Sequence, residues 1–231
     1  MANFNDIVGL TKEWEGGLSS NPKDRASKYP SPYIYKGKKG WHTNKGVTYQ
    51  TFESASKKLG FENNATNFIN MPDAIWNKIA KSLFWDKLGL DGLQSNGVAF
   101  QLFSWQWGAG QGWFERMYRY LSSKGISWDK KASTLVPAIN KVIQEQGEIK
   151  TIQELTEQQN QFYKSLNQPA FTKGWLNRVA DTTNYAIQYV KSNVIEPVSE
   201  QAKKKSNWLI YLSIGLIGYY LLFKVKKGVR I

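Results

Sequence analysis

Cysteine is absent from the 231 residues, and histidine occurs once, at His42. Without cysteine there is no disulfide framework and no thiolate metal site, and a single imidazole cannot build a histidine cluster. No metal mechanism and no cofactor is therefore expected. Acidic residues are missing from the C-terminal end, where none follows Glu200. A secretion signal is not expected either, because Met1 to Leu10 contains Asp6 and no apolar run. There is no internal repeat and no low-complexity tract.

What is abundant is positive charge and aromatic surface. The formal charge is +13, with 31 basic residues against 18 acidic ones. Seven of the 31, from Lys203 to Arg230, flank one late apolar segment; without them 24 basic residues face the 18 acids, an excess of +6. That remainder suits a polyanionic envelope substrate better than a nucleic acid, which is not expected as a partner. Aromatics make up 14% of the chain, with ten Trp, a composition that suits stacking on sugar rings as well as an aromatic core.

Residues 4–15 carry Ile7, Leu10 and Trp14 at helical spacing after an Asn cap, and Gly16-Gly17 ends the helix. Glu13 and Glu15 stand roughly 200° apart around such a helix. Only one can face a cleft, and Glu15, abutting glycines that permit close backbone approach and positive φ, is the better placed. Residues 18–47 lack a helical period and hold Pro22, Pro30 and Pro32. Within them Tyr33-Ile34-Tyr35, a basic Lys36-Gly37-Lys38-Lys39 tip and Gly40-Trp41 predict a small β-hairpin. From Thr48 onward helices are predicted: Thr48 to Leu59, stopped by Gly60; one opened by Pro72 with Ile75, Ile79 and Leu83 on one face; a central helix from Val98 to Trp107, apolar on nearly all sides; then 111–123, 134–146 after a Ser133 cap, 152–166 and 173–192. The fold class is α+β, mostly α.

The Glu15-Gly16-Gly17 run, then Asp24, then Gly40, Thr43, Asn44, Gly46, Val47 and Thr48, resembles the signature of the family 108 glycoside hydrolases, the N-acetylmuramidases. Gly174-Trp175-Leu176-Asn177-Arg178-Val179, after Phe162-Tyr163 and Phe171, resembles the family's closing helix motif. The resemblance covers about residues 1–190. It implies a lysozyme-like domain that cuts the β-1,4 bond between N-acetylmuramic acid and N-acetylglucosamine in peptidoglycan strands. It further implies Glu15 as general acid, Asp24 as a carboxylate that activates water or steadies the oxocarbenium ion, and Thr43 as the hydroxyl that orients that water. Gly16, Gly17, Trp41, Asn44, Thr48 and Trp107 then line the sugar site. Two departures stand out: about a dozen extra residues between Asp24 and Gly40, and Ser104 and Trp107-Gly108 where relatives carry Asp and Asn-x-Gly.

Protonating a glycosidic oxygen needs a carboxylic acid that keeps its proton near neutral pH. Partial burial raises a glutamate pKa because desolvation disfavours the anion, and Trp14 and Trp41 are the expected dry wall. If Asp24 is carried away by the extra residues, Glu15 alone suits a lytic transglycosylase, in which the sugar's 6-hydroxyl replaces water. A competing reading is a wall-binding protein that kept the fold and lost turnover.

Residues 1–195 are the expected glycosidase domain, 196–205 a basic linker, 206–224 a transmembrane helix and 225–231 a basic tail. Ser206 to Phe223 runs without a charge, with Trp208 and Tyr211 near one end and Lys224, Lys226 and Lys227 at the other. Eighteen helical residues rise about 27 Å, close to a bilayer core. Trp, Tyr and Lys are interface anchors. An anchored wall hydrolase without a secretion signal suggests a phage enzyme in a virion membrane, with a bacterial envelope as the other location.

Overall fold

The computed structural model describes residues 1–192, apart from Trp14, Gln111 and the side chains of Glu13 and Ala170. The expectations for Trp14, for the Glu13 side chain, and for the linker, apolar segment and tail beyond residue 192 lie outside the described residues. No helix among the described residues is long and apolar enough to cross a membrane.

The architecture is mostly helical, with one two-stranded sheet near the N-terminus. Helix α1 (Phe4–Glu13) is opened by Asn3, whose Oδ1 accepts from Asn5 N at 3.0 Å, and it buries Phe4, Ile7 and Leu10. It ends two residues earlier than predicted, so Glu15 follows the helix rather than closing it. Its amide still reaches back to Lys12 O at 3.2 Å.

The sheet is not where the sequence predicts it. Tyr35 and Lys38 form a single bridge, while the ladder proper pairs β1 (Thr43–Asn44) with β2 (Val47–Thr48). Both turns carry a Lys-Gly pair at positive φ, Lys36-Gly37 at 48° and 73° and Lys45-Gly46 at 45° and 73°. Pairs of left-handed residues fit tight hairpin turns. The difference is what flanks them: Tyr33 turns away to donate its hydroxyl to Asn63 and Ile34 faces solvent, so the first turn has no strands to extend.

Thr48 caps α2 (Tyr49–Leu59) by accepting from Thr51 N at 3.1 Å, and Gly60 ends it in the left-handed conformation, as predicted. A short α3 (Ala65–Ile69) leads to α4 (Asp73–Ala80), whose inward face is Trp76, Ile79 and Ala80. The predicted third member, Leu83, is not on it. Lys81–Trp85 forms a π-helical turn, and its extra residue brings Trp85 into the core and leaves Leu83 and Phe84 half-buried. One further turn, α5 (Asp86–Leu88), completes this segment.

The centre of the molecule is α6 (Asn96–Ala109), capped by Ser95 and buried from Gly97 to Trp107. Its fully buried Phe100, Leu102, Phe103 and Trp105 each contribute about 1.5–3 kcal/mol by leaving water. Against it pack α1, α9 (Glu148–Ser165) and α10 (Pro169–Ser192). At Gly97 a Cβ would stand 2.7 Å from Ala186 O, so this contact with α10 requires glycine. Outside lie α7 (Phe114–Ser123) and α8 (Ala132–Gln146). Ser133 sits inside α8 and does not cap it; Lys131 holds the cap position without a side-chain bond.

Candidate active site

Glu15 follows α1 at the point where the hairpin, α6 and α10 converge. Its carboxyl is fully excluded from solvent, and Arg178 of α10 places its guanidinium nitrogen 2.8 Å from Oε1. Burial raises the Glu15 pKa above the ordinary carboxylate value. The Arg178 guanidinium and the Trp107 indole pull it back without cancelling that rise. A carboxyl in this state keeps its proton to higher pH than a surface glutamate, which is what a general acid requires.

The roof over the carboxyl is Gly46. A Cβ there would stand 2.0 Å from Glu15 Oε2 and 2.9 Å from Trp107 Nε1, and the residue has φ +73°. Position 46 must therefore be glycine on two counts. The predicted close approach was assigned to Gly16-Gly17, but Gly17 is exposed, lacks positive φ, and a Cβ there would meet nothing within 4 Å. Gly16 is buried. The hairpin is fastened from the other side as well. Lys45 Nζ donates to Met71 O at 2.8 Å and pairs with Asp73, which also pairs with Lys12 of α1, while Trp76 Nε1 donates to Lys45 O at 2.8 Å.

Asp24 and Thr43 belong to a second buried group, built around His42. Asp24 caps a single 3-10 turn, accepting from Ala26 N at 2.9 Å through Oδ1. Its Oδ2 is buried without a hydrogen-bond partner among the described residues, 4.0 Å from His42 Nδ1. Burial pushes the Asp24 pKa up to about 6 and lowers that of His42. His42 Nε2 lies 3.2 Å from Asn21 O, and a carbonyl only accepts, so Nε2 carries the hydrogen. Nδ1 is then the acceptor for the Thr43 hydroxyl at 3.2 Å. Thr43 itself is wholly buried, so its hydroxyl is engaged by His42 and reaches no solvent. Asp24 is not among the groups that act on the Glu15 carboxyl.

The remaining predicted residues separate into contacts with the acid and contacts with the frame. Trp107 belongs to the first kind, while Trp105 is buried and stacks on Trp113 at 4.8 Å. Asn44 is structural here: its buried amide donates to Phe68 O at 2.6 Å and Ile69 O at 2.9 Å, tying the hairpin to α3. Thr48 is occupied as the cap of α2. Trp41 packs edge-on against Tyr35 and donates to Lys38 O at 3.2 Å, within the loop rather than against Glu15. Ser104, one of the departures from the resemblance, lies 3.3 Å from the Thr182 hydroxyl inside the α6–α10 contact.

Beside Trp107 opens a cavity of about 570 Å³, lined by Lys58, Phe84, Lys87, Gln106 and Gly110 among others. Phe84 packs on the Trp107 ring at 4.6 Å, so one aromatic pair separates this space from the acid. A cavity of this size accepts one or two sugar rings.

Arg178 is the partner of Glu15 that residue-level reasoning did not assign, although it falls in the closing motif. Its signal was present: Trp175, Val179, Thr182 and Ala186 form the buried stripe of α10, and Arg178 interrupts that stripe with a charge. A cation on a buried face implies a buried anion opposite.

No curated protein matches the chain. The solved structure of Brucella abortus SagA is similar, with a TM-score of 0.59 and 20% identity over 80% of this chain and 94% of that one, a likeness of fold. The glycosyl hydrolase 108 family model matches residues 8–110, the stretch that holds Glu15, Asp24, the hairpin and Trp107. That match, over the part of the chain that carries the site, supports a glycoside hydrolase acting on peptidoglycan.

Proposed function

We propose that the chain is a muramidase that cleaves the N-acetylmuramic acid to N-acetylglucosamine β-1,4 bond, with Glu15 as its general acid. The observation that carries this reading is the Glu15 carboxyl, raised by burial yet set between the Arg178 guanidinium and the Trp107 indole under Gly46. Protonated Glu15 gives its proton to the glycosidic oxygen as the bond to the anomeric carbon breaks. The carboxylate left behind is then matched by Arg178, so the same cation that opposes protonation before the step stabilises the product of it. Because the carboxyl is sealed, the roof at Lys45-Gly46 has to lift, or Trp107 has to swing toward the cavity, before a sugar arrives.

Hydrolysis requires a water activated at Asp24 and oriented by Thr43, and both would have to leave their arrangement with His42. A second reading, lytic transglycosylation by Glu15 alone, is favoured by one observation: Asp24 and Thr43 are buried, engaged elsewhere and without effect on Glu15. In this reading Glu15, once deprotonated, takes the proton of the sugar's 6-hydroxyl as that oxygen closes on the anomeric carbon. We further propose that residues 206–224 anchor the enzyme in a bilayer and that it acts as part of a phage particle. Flotation of the full chain with liposomes, and its absence in a chain cut after Val198, tests the anchor.

Glu15→Gln is near-isosteric and removes only the transferable proton. It is expected to lower wall lysis about 10² to 10⁴-fold. Undiminished lysis by a folded Glu15→Gln protein would rule out Glu15 as the acid. Mass spectrometry of the products separates the two readings, since reducing muramic ends mark hydrolysis and anhydro ends mark transglycosylation.

A further inference from the structure

We propose that the loop from Lys23 to Lys39 is an ionic docking lip that holds the carboxylate-bearing peptidoglycan strand at the mouth of the site. This rests on the peptidoglycan reading and adds to it a surface for retention that is separate from the acid. Lys23, Arg25, Lys28, Lys36, Lys38 and Lys39 are all exposed, and among the described residues none of the six forms an ion pair. Outside the loop paired and unpaired cations are mixed: Lys12, Lys45, Lys81, Lys124 and Lys130 each meet a carboxylate, and the unpaired ones are spread over separate helices instead of gathered in one segment. The one acid inside the loop, Asp24, is buried and aimed at His42, so it offsets nothing at the surface.

The loop is a fixed surface. Tyr29 stacks on Tyr49 at 6.0 Å and donates its hydroxyl to Glu53 at 2.6 Å, and Tyr33 donates to Asn63 O at 2.6 Å. The chain just ahead of the loop is held to the ladder by Ser19 N to Thr43 O at 2.8 Å, and the middle of the loop is held to the stretch leading into the ladder by Ser31 N to Trp41 O at 2.7 Å. Uncompensated cations held beside a cleft raise the local concentration of an anionic polymer and slow its escape without taking part in chemistry.

The chemistry of the lip selects the partner. Five of the six cations are lysines, point charges that suit singly spaced anions along a polymer more than one anion held by a planar fork. Tyr29, Tyr33, Tyr35 and Trp41 each pack against another ring of the protein, so they serve the loop's own structure and do not form a row of parallel platforms for successive bases. Ile34, at 56%, and Tyr29, at 43%, are the exposed large hydrophobic side chains of the loop, too small an apolar surface to enter a bilayer. Stem-peptide carboxylates, repeated along a glycan strand, fit these features.

The test measures binding apart from turnover. In the full-length Glu15→Gln protein, Lys36→Gln, Lys38→Gln and Lys39→Gln are introduced together, and co-sedimentation with purified sacculi is compared with the Glu15→Gln parent. The C-terminal lysines are common to both proteins and cancel. The triple change is expected to weaken binding about tenfold at low ionic strength, and the difference is expected to vanish near 1 M salt, where the screening length falls to about 3 Å. Amidating the sacculus carboxylates is expected to weaken the parent by a similar factor. In the acid-competent chain the same three changes are expected to raise KM on intact sacculi with kcat unchanged.

Equal binding by the triple variant at low salt overturns the docking lip. Undiminished binding to amidated sacculi, or tighter parent binding to phosphatidylglycerol vesicles or to duplex DNA than to sacculi, overturns the choice of partner. Lysis that survives Glu15→Gln displaces the acid alone, because the binding comparison does not depend on it.

Discussion

Two regions of this molecule bury polar groups, and they do so by opposite rules. Between α6, α9 and α10 the buried groups are neutral and mostly matched: Gln101 donates to Gln159 at 2.7 Å, Ser104 lies 3.3 Å from Thr182, and Gln106 accepts from Trp113 at 3.1 Å. Around α1 and the hairpin they are ionisable, and burial moves Glu15 and Asp24 up and His42 down. The first arrangement holds helices in register at little cost. The second keeps groups in protonation states they would not hold in water, and that cost is borne by the surrounding packing.

The contrast is most sharply broken at Gly46. Gly46→Ala would drive a Cβ into the Glu15 carboxyl at a positive φ, and is expected to destabilise by about 3 kcal/mol and to displace the hairpin. Calorimetry reads this as a lowered Tm, and an unchanged Tm would mean that the roof is not seated on the acid.

A smaller effect separates the ionisable group from the neutral one by pH. Asp24 holds its proton in the folded state up to about pH 6, against 3.8 as its reference value. Between these values the unfolded chain has released a proton that the native state retains, so stability falls as pH rises and the deficit is complete above about 6. The loss amounts to about 2–3 kcal/mol at most. His42 acts in the opposite sense, losing stability as pH drops through 6.5, and offsets part of it. Asp24→Asn keeps the cap to Ala26, and chemical denaturation at pH 4 and pH 7 is expected to show a larger fall in the parent than in the variant, in which Glu15, also raised by burial, still contributes.

The smallest expected effect is in the neutral seam. Gln159→Leu alone strands the Gln101 amide and is expected to cost about 1–3 kcal/mol, whereas Gln101→Leu with Gln159→Leu is expected to recover to within about 1 kcal/mol of the parent. A double variant as unstable as the single one would mean that the seam is held by shape rather than by its hydrogen bond.

What could be read in the sequence was local. Thr48 and Gly60 bound α2 because a cap and a left-handed terminator act within a few residues, and α6, uncharged and apolar on nearly all sides, declares its burial by composition. The sheltered place of Glu15 was legible for the same reason, as an acid abutting a pair of glycines at a helix end. The partners of the site were not. Arg178 reaches Glu15 from the far end of the described chain, and His42 lies between Asp24 and Thr43 only after the loop has closed. The hairpin was misplaced because both Lys-Gly pairs obey the same turn chemistry, and only tertiary partners for the flanking residues distinguish them.

The π-helical turn at Lys81–Trp85 can also be regarded as a change of phase. One extra residue in a helix rotates everything after it by about 100°. Here that rotation assigns Trp85 to the fold and releases Phe84 to the cavity wall, against Trp107. Deleting one residue, such as Ser82, would restore helical phase and exchange which aromatic serves the interior and which lines the cavity. A single-codon deletion there is thus a compact route by which a chain of this design could reshape the cavity beside Trp107 while leaving Glu15, Gly46 and Arg178 untouched.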